Sequence, residues 1–135
     1  MTDQESLFAF RMKEAEETLS DAERMLQSGL SPRSITNRAY YAMFYAILAL
    51  FLKTGINAKT SKHAGVISVF DKEFIHTGKL DVRCSKLLHR VSEARQVMDY
   101  KELVVITTEE ASGYVTLAQE FVRAVKNSIS SSPLD

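Results

Sequence analysis

Two arginines lie where helical spacing would turn apolar residues inward, and each raises the question of what holds its charge. Arg95 shares a stripe with Cys84, Leu87, Leu88, Val91 and Met98, positions that fall within about 100° of arc on a helix. Arg38 stands near the start of the most apolar stretch, SITNRAYYAMFYAILALFLKTG from Ser34 to Gly55, one turn from Ser34 and Tyr41. A desolvated guanidinium needs an anion, and neither hydroxyl supplies one. Two chemistries answer the need. One is an internal salt bridge, for which Asp99, four residues on, is a ready partner of Arg95. The other is a phosphate of RNA or of a nucleotide. On the second reading Ser34, Asn37, Arg38 and Tyr41 form one wall of an anion pocket, and Arg95, Asp99 and Tyr100 form the other.

The histidines offer less. His63 follows Lys59, Thr60 and Lys62 at a helix start, a basic N-terminal end that suits phosphate, although a plain solvated loop fits the same residues. His76 suits a helix C-terminus, and His89 falls on roughly the opposite side of its helix from Arg95, where solvent is expected. No His-x-x-x-His pair suggests a metal, and the lone cysteine, Cys84, sits on an apolar stripe. There is no phosphate-cradling glycine loop and no Gly-x-Ser-x-Gly elbow, so no metal or cofactor is expected and hydrolase chemistry of those types finds no support.

These side chains must be positioned by helices. Phe8, Met12, Ala15, Leu19, Ala22 and Leu26 alternate steps of four and three, and Gly29 can end that helix. Ser31 and Pro32 read as an N-cap and first-turn proline opening a second helix that runs to about Lys53. His63, Ile67, Phe70 and Phe74 mark a short third helix ending near Gly78, the Arg95 stripe a fourth, and Ala111, Val115, Ala118, Val122, Val125 and Ile129 a fifth capped by Thr107 or Thr108. The fold class is therefore all-α, an up-and-down antiparallel bundle of four to five helices forming one domain over residues 1–130, with 131–135 a disordered tail. The continuous apolar run from Ala39 to Leu52 is fourteen residues, short of the roughly 20 a bilayer requires, so no membrane association is expected.

Net charge is zero, which argues against a protein built to coat nucleic acid, but the average hides an asymmetry. Residues 1–28 carry seven acids and three bases, and residues 102–135 carry five acids and two bases. Residues 53–101 carry ten Lys or Arg against five acids. That basic middle either attracts phosphates or neutralises the acidic outer helices. A single cysteine, and acidic residues in MTDQESLFAF where a signal peptide would be positive, point to the cytoplasm.

Taken in order, SPRSITNRAYYAMFYAILALFLKTG, KTSKHAGVISVFDKEFIHTGKL, EARQVMDY and EEASGYVTLAQEFVRAV resemble the HEPN domain family over roughly residues 5–128, closest to the small stand-alone prokaryotic members. The resemblance implies a four- or five-helix bundle, commonly a homodimer, often encoded beside a minimal nucleotidyltransferase as a toxin-antitoxin-like pair. Many members of the wider family are metal-independent ribonucleases whose signature is an Arg followed, after four to six residues, by a His. Here Tyr100 stands where the shortest form of that motif has its histidine, giving a degenerate Arg-x4-Tyr. A tyrosine with an ordinary pKa near 10 is a poor base at neutral pH, while Arg95 and Tyr100 can still bind a phosphate. Three functions follow: a nucleotide- or RNA-phosphate-binding partner of a nucleotidyltransferase, a ribonuclease toxin in which Tyr100 or His63 replaces the histidine, and a non-catalytic dimeric scaffold.

Overall fold

In the computed structural model the described residues are 2–57, 62–100 and 104–130, excepting the side chain of Tyr100. The expected tail at 131–135, Lys59 and Thr60 lie outside them. Five α-helices follow in order: α1 (Asp3–Gln27), α2 (Pro32–Thr54), α3 (His63–Phe70), α4 (Val82–Tyr100) and α5 (Thr108–Ser130). No strand forms among the described residues, and the bundle is the all-α architecture that the periodicity predicts.

The helix ends follow from local chemistry. Thr2 caps α1 by accepting from the Glu5 N–H, and the chain leaves α1 through Gly29 at φ 71°, with the Leu30 N–H donating back to the Met25 carbonyl. Ser31 caps α2 by accepting from the Ser34 N–H, Pro32 occupies the first helical position, and Gly55 at φ 76° ends the helix. At α5, Thr107 and Glu110 exchange hydrogen bonds of 3.1 Å between side chain and backbone in both directions, a capping box. The third segment departs from a simple short helix. After Phe70 it widens into one π-helical turn over Asp71–Ile75, which places Asp71 against α4.

α2 is the centre of the bundle and packs against α1, α4 and α5. By length and composition this 23-residue helix, mean hydropathy 1.2 in its most apolar window, could cross a membrane, contrary to the count from its continuous run alone. That window is 67% buried inside the protein, so its apolarity is spent on neighbouring helices. Ala15 and Ala22 of α1 and Ala39, Ala42, Ala46 and Ala49 of α2 are fully buried, and small side chains on both helices allow their axes to approach. Below them, Phe51, Phe70, Phe74 and Phe121 join α2, α3, the π turn and α5 through ring contacts of 5.6–6.1 Å.

Phe70 and Phe121 are fully buried, with ring centroids 5.6 Å apart. Phe121→Ala should lower unfolding stability by about 3–5 kcal/mol through lost burial and an unfilled cavity. Phe121→Leu should cost clearly less, and urea unfolding of the three proteins checks the order.

Candidate functional site

The site gathers where the first half of α2, the start of α3 and the last turns of α4 meet. Tyr40 and Tyr41 are adjacent on α2 and their rings are nearly perpendicular, 5.4 Å apart. The Arg95 guanidinium carbon lies 4.7 Å from the Tyr40 ring centre and 5.4 Å from that of Tyr41, within cation–π range of both. One Arg95 nitrogen is 3.5 Å from the Tyr41 hydroxyl. Among the described residues its nearest carboxylate oxygen, on Asp99, is 3.7 Å away on a side chain that is 52% exposed. The Nε of Arg95 is buried and has no hydrogen-bond partner among the described residues. The Arg95 side chain is only 20% exposed, and its charge is only loosely neutralised.

His63, the first residue of α3, enters the same cluster from the other side. Its Nδ1 is 2.8 Å from the Tyr40 hydroxyl, Phe44 stacks on its ring at 4.3 Å with planes 17° apart, and Tyr41 presents an edge at 5.6 Å. Burial first, and the Arg95 charge second, hold the imidazole below the ordinary histidine pKa. Burial pushes the Tyr40 phenol up to about 12, against the opposing pull of Arg95, so it stays protonated at any physiological pH. The cluster therefore presents one cation, one neutral imidazole and two phenols.

The residues singled out in the sequence divide into those brought together and those kept apart. Arg95, Tyr41, Asp99 and His63 meet as described. Arg38 does not lie on a buried face. It is exposed, it is absent from the buried residues of α2, and it makes no hydrogen bond or ion pair among the described residues. Ser34 is also exposed, its N–H and hydroxyl both engaged by Ser31 in the cap of α2. Asn37 is half-buried. The two-walled pocket is thus narrower than expected, with Tyr41 alone of the α2 wall touching Arg95. Lys59 and the Tyr100 side chain lie outside the described residues.

Three residues acquire roles that the sequence left unread. Tyr40, fully buried, links Arg95 to His63. Its adjacency to Tyr41 was the available signal, since two neighbouring tyrosines on a core helix must find polar partners. Arg33 donates to the Met98 and Val104 carbonyls at 2.6 and 3.2 Å, fastening the end of α4 and the chain beyond it to the start of α2. His89 is not simply solvated, because Asp71 from the π turn lies 2.6 Å from its Nε2 and also accepts from Ser85. The basic middle of the chain meets the acidic outer helices in part, as in the bidentate Arg83–Glu120 pair between α4 and α5.

A family model for the HEPN domain matches residues 8–128, and the chain belongs to that family. It is 35% identical over 129 residues to a "UPF0332 protein" of Thermotoga maritima, covering 96% of both chains. It is also 35% identical over 115 residues to "Putative toxin MJ0142" of Methanocaldococcus jannaschii, covering 85% of this chain and 76% of that one. A "UPF0332 protein" of Archaeoglobus fulgidus is 33% identical over 119 residues, 88% of this chain and 92% of the relative.

The lowered His63 pKa sets a direction for stability against pH. Unfolding restores the imidazole to about 6.5, so above that pH neither state is protonated and the contribution is complete. As pH falls through 6.5 toward the lower folded value, the unfolded chain binds the proton first and stability is lost. Wild type should therefore lose more stability between pH 7.5 and pH 5 than His63→Gln, a difference that paired thermal melts would reveal.

Proposed function

We propose that this HEPN-domain protein is the toxin-like component of a pair with a minimal nucleotidyltransferase, and that it binds a phosphate of RNA or of a nucleotide at Arg95. The carrying observation is the guanidinium laid on Tyr40 and Tyr41 with, among the described residues, an unpartnered Nε and no carboxylate closer than 3.7 Å. A phosphate would supply the missing negative charge and short acceptors. The name of the Methanocaldococcus relative supports the toxin-like role. The nucleotidyltransferase partner and the cytoplasmic setting rest on the family resemblance and the single cysteine. A homodimer fits the half-exposed row of Tyr41, Tyr45, Leu48 and Leu52 along α2, which a second copy would cover.

Metal-independent ribonuclease action is the second reading, favoured by one observation: His63 and Arg95 lie against the same two tyrosines. RNA incubated in chelator with wild type, Arg95→Ala and His63→Ala separates the two. Cleavage lost in both variants supports this reading, and cleavage indifferent to both removes the cluster from the reaction.

For the binding reading, nucleotides and short RNAs are titrated while the melting temperature is followed. A ligand at 100 times its Kd adds about 2.7 kcal/mol to stability. Arg95→Met should abolish that gain, and because the guanidinium also gives up two cation–π contacts and a loose ion pair, each variant's ligand-induced shift is read against its own unliganded melting temperature. No stabilisation by any nucleotide or RNA sinks the proposal. Arg38→Met, which removes an exposed cation, should weaken RNA binding uniformly across sequences and reduce the salt slope by about one.

A further inference from the structure

We propose that Tyr40 holds His63 as the neutral tautomer with its proton on Nε2, so that His63 is a fixed hydrogen-bond donor to the anion that Arg95 attracts and not a base. The proposal rests on reading Arg95 as an anion site.

The argument starts from a buried hydroxyl. Tyr40 is fully buried, and among the described residues its hydroxyl has one hydrogen-bond partner, Nδ1 of His63 at 2.8 Å. Either group could in principle donate, but the two choices differ in what they leave unsatisfied. If the phenol donates, Nδ1 accepts, and the only unused capacity is a phenolic lone pair. If Nδ1–H donates, the phenolic proton is left buried without an acceptor, the less favourable of the two arrangements. A neutral imidazole carries one proton, so an accepting Nδ1 puts it on Nε2.

Further observations agree. Protonating the ring would also put a hydrogen on Nδ1 and orphan the Tyr40 hydroxyl, in line with an imidazole held below its ordinary pKa by burial and Arg95. Phe44 stacked at 4.3 Å and the edge of Tyr41 at 5.6 Å fix the plane of the ring. Nε2 makes no hydrogen bond to any described residue, so its N–H remains available. Tyr40 also lies under Arg95, and one ring thereby positions the charged donor and the neutral donor together. A base at Nε2 would need the lone pair that this tautomer occupies with a proton. His63 in this form favours holding a phosphate over removing a proton from a ribose hydroxyl.

Long-range nitrogen–proton NMR of the imidazoles in nitrogen-15-labelled full-length protein tests the tautomer directly. At neutral pH the His63 Nδ1 should resonate as an unprotonated nitrogen and Nε2 as a protonated one. Tyr40→Phe should redistribute the proton between the two and raise the pH at which His63 titrates. With inorganic phosphate and AMP as probes, His63→Leu should weaken binding about tenfold, the scale of one lost hydrogen bond to an anion, and His63→Gln should restore much of it. A wild-type His63 protonated on Nδ1, or charged at neutral pH, overturns the proposal whatever the binding data show. Phosphate and AMP affinities unchanged by Arg95→Met overturn the underlying anion site instead, and the NMR result separates that failure from this one.

Discussion

The polar cluster of this bundle is arranged around the burial of α2, whose most apolar window is 67% buried inside the protein. A helix enclosed by α1, α4 and α5 has few places where a hydroxyl or a charge can reach water. Tyr40 is the point of greatest constraint, since its ring fills the core and its hydroxyl must still find a partner. That requirement draws the start of α3 inward through His63. The same ring then offers its face to Arg95 from α4. One side chain therefore ties three helices to one another and defines the place where they can meet an anion.

The two arginines illustrate how little residue type decides without position. Arg95 and Arg38 both look misplaced among apolar neighbours, yet Arg38 reaches solvent and needs nothing from the protein. Arg95 is desolvated by two tyrosine faces, which attract a cation but provide no formal charge. Asp99 lies one turn further along α4 and, half-exposed, remains too distant for a tight pair. The imbalance is local: Arg83 on the same helix is matched by Glu120 in a bidentate pair. A charge left partly unanswered in a bundle that answers others is the feature that directs attention to ligand binding.

The π turn at Asp71–Ile75 serves the same arrangement from a distance. By widening the helix for one turn it carries Asp71 to Ser85 and His89 on α4, which anchors α3 alongside the helix that bears Arg95. Arg33 performs the matching task at the far end of α4, where it takes up carbonyls that the helix terminus leaves open. The height of α4 relative to α2, and so the position of Arg95 over Tyr40, is held from both ends.

The helices and their ends were legible in the chain because they depend on neighbours within about four residues. Ser31-Pro32, Gly29, Gly55 and the Thr107–Glu110 box act locally, and the stripes of α1 and α5 need only the helical period. Arg95 stood out for the same reason, as a charge on an apolar stripe. The exposure of Arg38, the Asp71–His89 contact and the Tyr40–His63 bond were not legible. Each depends on which side of one helix faces another across 18 or more residues of sequence, and side-chain period alone does not specify the partner face. Sequence by itself determined that five helices would bury α2 and carry Arg95 with them. Only tertiary packing decided that the histidine beside that arginine would come from α3, because a buried phenol on α2 required an acceptor that its own helix could not provide.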